Sequence, residues 1–441
     1  MTQICRKTSK SSGRGGISLF AALATILGVF LMAACGTGPA RRQHPMDGEM
    51  SGRTALEFFR EERLTVGVNL GNTLDAFRGW GPPPYVAIET VWGNPPASQE
   101  MFHAIRAHGF NVVRIPVTWM GHIGEAPDHL VSEERMERVV EVVEYARSAG
   151  LMVIINMHHD GATSSRTQEH GWLSISRSLA SEEERERITT KFQRVWEQIA
   201  ERFRDHGEWL MFQGFNELHV GDWGTGNSLQ YGIVNQWNQV FVDAVRSTGG
   251  NNSYRFLVVS GYNTSYRTVE AYVIGMFRLP SDPTPDRLVV NFHFYQPNDF
   301  ALMSLNHVWP NMGYGGTREF IDGIFGGFRQ AFVDRGIPVI IGEIGPAGYG
   351  RRHSGFNEAN MPTAHQNRLD YIAHVYASAR RNGLVPIAWE NGGRFDPFSA
   401  SEGNFSLFDR FYSEPNSPES AEVIQTMIRA VNTATPPWGR R

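Results

Sequence analysis

The chain has 441 residues, enough for one large domain or two ordinary ones, and its 41 Lys and Arg against 45 Asp and Glu give a net charge of −4. This balance, together with the lack of any basic stripe, excludes a strong electrostatic case for binding nucleic acid. The hydrophobic content of 41% is ordinary for a globular protein, and the 11 Trp, 13 Tyr and 27 Phe residues indicate a core rich in aromatic side chains.

The N-terminus has the features of an export signal. Four basic residues, Arg6, Lys7, Lys10 and Arg14, precede the apolar run. The run itself, Ile17–Ala34, covers 18 residues and ends in Ala33-Ala34-Cys35, which resembles a bacterial lipoprotein box. We therefore predict a signal peptide over residues 1–34, lipid attachment at Cys35, and an exported, membrane-anchored lipoprotein at the cell surface or in the periplasm. The alternative is an uncleaved anchor, because about 18 apolar residues could just span a bilayer.

The cysteines support the same division of the chain. Cys5 and Cys35 are the only two, and Cys5 would leave with the signal peptide. The mature domain would then lack disulfides and thiol chemistry, so its stability would come from its core. Residues 35–53 are polar and rich in Gly, Pro and Arg, which predicts a tether. Residues 54–441 are predicted to form the folded domain.

Eight β-like runs follow in this domain, and most are continuously apolar, as expected for parallel strands buried on both faces. The runs are Thr65–Gly71, Asn111–Trp119, Leu151–His159, Trp209–Glu217, Arg255–Asn263, Arg287–Gln296, Ile337–Gly345 and Leu384–Gly392.

Amphipathic patterns between these runs predict helices. Ser181 with Glu184 has the spacing of a capping box, and the pattern from Met136 to Ala146 is stopped by Gly150. Further helices are predicted at Gln99–His108, Leu229–Ser247, Tyr266–Met276, Thr317–Arg335, Thr363–Asn382 and Glu419–Asn432. Strands alternating with helices predict an α/β fold, a (β/α)8 TIM barrel with long loops. A doubly wound sheet is the alternative, but no G-x-G-x-x-G follows the first strand, so no dinucleotide or other cofactor is predicted.

Two apolar runs end in a carboxylate. "MFQGFNELH" (Met211–His219) delivers the pair Asn216-Glu217, and "PVIIGEIG" (Pro338–Gly345) delivers Glu343, 126 positions later. Burying a carboxylate costs folding free energy, so a buried carboxylate at a strand end is typical of an active site. Glycosidic bond cleavage needs two carboxylates, one acid and one nucleophile. The alternative is two buried glutamates that each pair with an arginine.

Other polar groups collect at the same strand ends, where a barrel of this kind carries its active site. They are Asn69, Asn72, Arg114, His158, His159, Asp160, His293, Tyr295 and Trp389. Arg114 could be only a structural ion-pair partner, and Trp389 only a core residue. His158-His159-Asp160 could bind a metal. Adjacent strand residues point to opposite faces, however, and the sequence offers no closed set of three ligands, so we predict no metal.

Eight stretches, taken in chain order, resemble glycoside hydrolase family 5 of clan A, and most of all its subfamily 4 of endo-β-1,4-glucanases and xyloglucanases. They are "NLGNTLDA" from Asn69, "ETVWGNP" from Glu89, "GFNVVRIPVTW" from Gly109, "VIINMHHD" from Val153, "FNE" from Phe215, "HFYQP" from His293, "IGEIG" from Ile341 and "WENG" from Trp389. Three positions depart from the pattern: Gln213 replaces Glu, Leu218 replaces Pro, and Glu390 replaces Asp. Gln213 and Leu218 border the reacting groups, so they put the +1 subsite shape in question.

The resemblance implies roles. Glu217 would be the general acid and then the base, and Glu343 the nucleophile. Arg114 and Tyr295 would keep Glu343 ionised, Asn216 would bind the sugar 2-OH, and His293 would tune Glu217. His158 would line the −1 subsite above Trp389. Asn72, His159, Trp92 and Trp172 are candidates for glycone subsites, and Trp223 and Trp309 for the aglycone side.

The predicted function is that of a monomeric, retaining endo-acting β-1,4-glucan hydrolase (a cellulase or endoglucanase) working by double displacement on a β-glucan polysaccharide or oligosaccharide. Plentiful aromatic rings suit a groove in which they stack on pyranose faces. Xyloglucan or mixed-linkage glucan could be the preferred substrate, whereas the resemblance disfavours mannan. An alternative from another class is a non-catalytic surface glycan-binding lipoprotein. That would require a missing carboxylate, yet both are present.

Overall fold

The structure is a computed structural model that describes residues 48–50, 52–79, 85–161, 164–165, 168–169, 171–311, 313–348, 359–393 and 405–439. The predicted signal peptide, Cys35 and most of the predicted tether lie outside these residues. No helix of the described part is long and apolar enough to cross a membrane. Near the end of the predicted tether, the Met50 N–H donates to Asn251 Oδ1 at 3.1 Å and the Met50 side chain is buried.

Eight parallel strands close into a barrel in the order β1-β8-β7-β6-β5-β4-β3-β2. They are β1 (Gly67–Asn69), β2 (Val112–Ile115), β3 (Met152–Asn156), β4 (Leu210–Gln213), β5 (Leu257–Ser265), β6 (Leu288–Phe294), β7 (Val339–Ile344) and β8 (Leu384–Ala388). Each falls within its predicted run or extends it by two residues. The TIM barrel prediction is confirmed, and the doubly wound alternative is excluded because the sheet is closed.

Helices surround the barrel. They are α1 (Ala55–Glu61), α2 (Gln99–Ala107), α3 (Glu133–Ser148), α4 (Ile175–Ala180), α5 (Glu182–Arg202), α6 (Ser228–Ser247), α7 (Thr268–Val273), α8 (Asn298–Ala301), α9 (Arg318–Ala331), α10 (Met361–Arg381) and α11 (Pro418–Thr433). The short helices α1, α4 and α8 were not predicted. The pattern predicted over 317–335 breaks at residue 332, and a 3₁₀ turn, Val333–Arg335, follows it.

The predicted capping box at the start of α5 is only half formed. Ser181 Oγ accepts the Glu184 N–H at 3.2 Å, but the Glu184 carboxylate binds Arg187 at 2.9 Å instead of turning back. The start of α6 has a complete box, because Asn227 Oδ1 accepts the Gln230 N–H and Gln230 Oε1 accepts the Asn227 N–H. In α5 the Glu184 carboxylate therefore binds Arg187, one turn further along the helix, rather than the backbone N–H of Ser181.

Strand register places the polar side chains. Asn69 pairs with Arg114 between β1 and β2, and His293 pairs with Glu343 between β6 and β7. The end of β4 is fixed from outside by aromatic packing: Trp196 Nε1 donates to the Gly214 carbonyl at 3.0 Å. A Cβ at Gly214 would lie 3.0 Å from the Phe241 ring. A side chain at this position would crowd the Phe241 ring, just before the residues predicted to react.

Candidate active site

A cavity of about 1010 Å³ opens at the C-terminal ends of the strands. Its lining residues are Asn72, Trp92, His158, His159, Asn216, Glu217, Trp223, Asn263, Thr264, Ser265, Tyr266, His293, Tyr295, Gln296, Asn298, Leu302, Met303, Glu343, Trp389, Asn391 and Phe405. Most of the side chains singled out in the sequence therefore face one shared space. A barrel of this kind builds its active site from such strand-end residues.

Arg114, on β2, is fully buried beneath this cavity and organises its floor. Its guanidinium donates to Gln213 Oε1 at 2.8 Å, to Asn69 Oδ1 at 2.9 Å, to Glu343 Oε1 at 2.9 Å and to Asn216 Oδ1 at 2.6 Å. One carboxylate and three amides thus share the charge. The guanidinium fixes Asn216, in the loop after β4, relative to Glu343 on β7.

Glu343 lies on β7 and is 5% exposed. Tyr295 donates its hydroxyl hydrogen to Glu343 Oε2 at 3.0 Å, while Arg114 binds Oε1. Burial raises the pKa of Glu343 above its ordinary value, and the nearby Arg114 and the Tyr295 hydrogen bond oppose that rise. The ionised form of this carboxyl therefore depends on Arg114 and Tyr295.

Glu217 follows β4 and has a different environment. Burial raises its pKa to about 7, and the positive charge of Arg114 is the only opposing influence of note. His293 Nδ1 lies 2.6 Å from Glu217 Oε1. Burial lowers the pKa of His293 to about 3, so the imidazole is neutral at neutral pH. Its Nε2 is buried without a hydrogen-bond partner among the described residues, which favours the ring proton on Nδ1.

The two carboxyl groups are close together. One ligand atom each of Glu217, His293 and Glu343 lies within 4.8 Å of the others. Glu217 is desolvated with a single weak counter-charge, while Glu343 is held by a guanidinium and a phenol. Burial raises the pKa of both carboxyls, to about 7 for Glu217, but only Glu343 accepts hydrogen bonds from Arg114 and Tyr295, which favour its ionised form. Two carboxyls in such different environments suit an acid paired with a nucleophile.

On the β3 and β8 side, the rings of His158 and Trp389 are parallel, with centroids 5.8 Å apart and planes at 5°. The indole of Trp389 packs against the backbone of Gly71. Any side chain at residue 71 would displace it, because a Cβ there would lie 2.8 Å from the indole ring. Asn156 Nδ2 faces His158 Nδ1 at 3.1 Å. Burial lowers the pKa of His158 well below its usual value, so this wall is a neutral, partly aromatic surface.

His159 and Trp92 also line the cavity, with ring centroids 5.5 Å apart, and Phe77 packs against both at 5.4 Å. Asn72 lines the cavity as well; it has a φ of 55°, and its backbone N–H donates to Asp75 Oδ2 at 3.0 Å. These placements agree with the positions predicted for candidate glycone residues, and their contacts with sugar stay a prediction.

The expectation that no three-ligand set exists beside His158 is wrong. Ligand atoms of Asp75, His158 and His159 lie within 4.8 Å of one another. The hydrogen bonds around this set do not suit a metal. Asn156 Oδ1 accepts the Val117 N–H at 3.1 Å, which turns Nδ2 toward His158 Nδ1 and places the ring proton on Nε2. A ligating histidine needs its other nitrogen to donate, whereas His158 accepts there. The absence of a metal requirement remains a prediction.

Two predicted contact residues lie elsewhere. Trp309 is 2% exposed and packs in the shell, with the Arg318 guanidinium 4.4 Å above its ring and Tyr371 against its edge at 5.3 Å. Trp172 does not line the cavity: its Nε1 donates to Asp160 Oδ1 at 2.8 Å and Lys191 Nζ lies 4.6 Å over its ring. The assignment of Trp309 to the aglycone side is therefore wrong. Trp172 holds the Asp160 carboxylate next to His159 and does not face the cavity. Trp223, in contrast, lines the cavity and is 62% exposed.

The three departures from the family pattern are accommodated without strain. Gln213 accepts from Arg114 and donates Nε2–H to the Phe215 carbonyl at 2.9 Å, a bond that a glutamate could not make when ionised. Leu218 is 2% exposed and lies outside the cavity lining. Glu390 forms a buried ion pair with Arg410 at 2.5 Å. These side chains support the site from beneath or beside it.

Sequence reasoning missed the contribution of β5. The stretch from Asn263 to Tyr266 lines the cavity, but no functional role was predicted for the end of this strand. The signal was available: the apolar run before it gives way to "YNTSY", a polar strand end of the same kind as the other seven. Gln296 was given no role although it ends the predicted sixth run, and Met303 and Phe405 were missed because loop residues follow no strand period.

Comparison with known proteins agrees with this geometry. Residues 81–394 match the family model described as cellulase (glycosyl hydrolase family 5). The chain belongs to glycosyl hydrolase family 5. It is therefore a glycoside hydrolase, and the resemblance found in the sequence is confirmed.

Individual members of the family match over most of their length. Endoglucanase A of Paenibacillus barcinonensis is 33% identical over 96% of this chain and 99% of its own. A xyloglucan-specific endo-β-1,4-glucanase of Bacteroides ovatus is 32% identical over 82% of this chain and 68% of its own. Among solved structures, a GH5-4 broad-specificity endoglucanase from Bacteroides salanitronis superposes with a TM-score of 0.76 and 38% identity, over 89% of this chain and 99% of that one.

Proposed function

We propose that this family 5 enzyme is a retaining endo-β-1,4-glucanase that cleaves internal bonds of β-glucans by double displacement. The observation that carries the proposal is the pair Glu217 and Glu343, which face one cavity with carboxylate oxygens within 4.8 Å. Retaining enzymes hold their carboxyl groups roughly 5–5.5 Å apart, and inverting enzymes about 6.5–9.5 Å apart to admit water. The separation supports direct attack by one carboxylate.

In the first step Glu343 attacks the anomeric carbon and the glycosidic C–O bond breaks. Glu217 gives its proton to the departing oxygen, leaving a glycosyl ester on Glu343 and an ionised Glu217. His293 Nδ1–H donates to Glu217 Oε1 at 2.6 Å, so the proton to be transferred sits on Oε2. A pKa of about 7 keeps a large share of Glu217 protonated at neutral pH.

In the second step the now ionised Glu217 takes a proton from water, and the resulting hydroxide equivalent attacks the anomeric carbon. The ester bond to Glu343 breaks and Glu217 is protonated again. Arg114 holds Glu343 Oε1 and Asn216 Oδ1 throughout, so the Asn216 amide N–H₂ points away from the guanidinium and is available for the sugar 2-OH. That contact strengthens in the transition state.

The pKa of Glu217 sets a pH limit. At acid pH kcat/KM should fall, because Glu343 must be ionised to attack and burial raises its pKa. At alkaline pH kcat/KM should fall about tenfold per pH unit above a midpoint near pH 7, because the first step needs Glu217 protonated. A pH series of initial rates on a soluble β-glucan measures this alkaline fall in kcat/KM, which is the alkaline limb of the pH profile. The Glu217→Gln variant serves as the control, since it has no proton to lose and should lack the limb. A wild-type midpoint near the ordinary glutamate pKa would contradict the assignment.

The substrate range can be tested directly. Similarity to the Bacteroides ovatus xyloglucan-specific enzyme supports xyloglucan as a second substrate class beside unbranched β-1,4-glucan. Reducing-sugar release should be measured on carboxymethylcellulose, xyloglucan, mixed-linkage glucan and mannan, together with viscosity to distinguish internal from terminal cleavage. Release with a rapid fall in viscosity is expected on at least one β-glucan. Binding without release on all of them would favour the non-catalytic glycan-binding alternative.

We also propose that the protein is an exported lipoprotein anchored through Cys35, on the strength of the basic residues, the apolar run and the Ala-Ala-Cys sequence. The Cys35→Ser variant is expected to lose lipid attachment and to be unprocessed or released from the membrane fraction. Cell fractionation and the apparent mass of the product measure this, with Cys5→Ser as the matched control. A Cys35→Ser protein that is processed and membrane-bound like wild type would disprove the lipid anchor.

A further inference from the structure

The end of β5 hydrogen-bonds to the chain on both sides of Glu217. Thr264 Oγ1 donates to the Asn216 carbonyl at 2.6 Å, and the Asn263 N–H donates to the Leu218 carbonyl at 2.8 Å. The Asn216 carbonyl belongs to the peptide that joins Asn216 to Glu217. Two consecutive residues of one strand therefore hold the two carbonyls that flank the predicted acid.

These bonds matter because Glu217 lies beyond the sheet. The β4–β5 ladder ends with Gln213 beside Val258, and the last main-chain bond of that register runs from the Gly214 N–H to the Val258 carbonyl. Glu343, in contrast, lies inside β7, paired with His293 of β6. The nucleophile is thus fixed by the barrel itself, whereas the acid depends on contacts made after its strand has ended.

The backbone that makes these contacts is strained. Asn263 has a φ of 56° and Thr264 a φ of 45°, and neither residue is glycine. A β-branched residue rarely adopts a positive φ, because its side chain crowds the backbone. Such strain persists where the surrounding structure imposes it, and it concentrates at functional sites. Thr264 is fully buried, so its hydroxyl has no water as an alternative partner.

We propose that Thr264 is a positioning residue for the acid/base Glu217. Its hydroxyl holds the Asn216–Glu217 peptide, while Arg114 holds the Asn216 side chain. The inference rests on the proposed function. Its consequence is selective: loss of the hydroxyl displaces the proton donor and leaves the nucleophile in place. Steps that need protonation of the leaving group should slow, and steps that do not should be spared.

The test is Thr264→Val, which keeps the β-branch and removes the hydroxyl. We expect kcat/KM on a β-glucan oligosaccharide to fall roughly 10- to 100-fold, the effect of a misplaced catalytic group, and kcat/KM on an aryl β-cellobioside with an activated phenol to change much less. Thr264→Ser should restore the oligosaccharide rate. The control is Thr284→Val, which removes a half-buried threonine hydroxyl that donates to a backbone carbonyl over the same distance, 2.6 Å to Ser253, at the opposite end of the barrel.

Equal losses on both substrates, no rescue by serine, or a loss no larger than that of Thr284→Val would overturn the proposal. If Thr264→Val does not fold, as judged by circular dichroism, Thr264→Ala removes the same hydroxyl with less crowding and must show the same selectivity. A wild-type protein without activity on either substrate would instead overturn the proposed function, and with it the role of Thr264.

Discussion

Replacement of Glu343 by alanine is expected to lower kcat on β-glucans by roughly four to six orders of magnitude, the usual cost of removing a catalytic nucleophile. Arg114 and Tyr295 would then surround a small space with no group able to attack carbon. Initial rates on a soluble β-glucan measure the loss. A small anion such as azide should enter that space, and with an activated aryl β-cellobioside it should give the α-glycosyl azide, the product of a single inversion.

A control separates chemistry from folding. Glu208 is 4% exposed and binds Arg53 at 2.5 Å, and it lies before β4 at the opposite end of the barrel. Glu208→Ala removes a similarly buried, arginine-bound carboxylate, so it should lower the melting temperature and leave kcat and the azide response unchanged. Residual activity of Glu343→Ala within about tenfold of wild type, or no azide product, would show that Glu343 is not the nucleophile.

Replacement of Glu217 by alanine should act on the leaving group. We expect kcat/KM on a β-glucan oligosaccharide to fall by roughly 10²- to 10⁴-fold, the usual contribution of general acid catalysis. An aryl β-cellobioside with an activated phenol needs little protonation, so its kcat/KM should change least. Its kcat should still fall, because hydrolysis of the glycosyl ester needs Glu217 as the base. Steady-state kinetics on a series of phenols with graded pKa values measures this dependence.

The slope of that series decides the assignment. Wild type should show little dependence of log kcat/KM on the phenol pKa, and Glu217→Ala a steep one. The Glu390→Gln variant is a suitable control, because Glu390 is a buried carboxylate near the site that pairs with Arg410 and does not line the cavity. A flat dependence in Glu217→Ala, or a steep one in Glu390→Gln, would remove Glu217 from the role of acid.

The barrel could be predicted because its strands leave a simple trace in the sequence. A parallel strand covered on both faces is apolar throughout, as in Val112–Ile115, where only Arg114 interrupts the run. Capping contacts were predicted less accurately than helix positions, because Arg187 binds the Glu184 carboxylate that was expected to complete the capping box of α5. Short helices without a repeated apolar face, such as α8, carry no periodic signal.

Strand-end position predicted the chemical groups of the site, and the family resemblance predicted that Glu343 contacts Arg114 and Tyr295 and that Glu217 contacts His293. The complete network around Arg114 could not be predicted. Nothing in the sequence shows that Arg114 binds four partners at once, since these come from β1, β4, β7 and the loop after β4. Trp309 was misplaced because an aromatic residue on a loop can turn inward as easily as outward, and Arg318 covers its face. The Thr264 bond depends on a positive φ at a threonine, which propensity argues against.

The measurement that tests the central claim most directly is proton NMR of the products in the first minutes of hydrolysis of a β-glucan oligosaccharide. With Glu343 as nucleophile and Glu217 as acid and base, two inversions give net retention, and the β-anomer should form first and mutarotate later. The close carboxylate oxygens of the two glutamates lead to the same expectation. If the α-anomer forms first, a single displacement by water is the reaction, and the assignment of Glu343 as nucleophile is wrong.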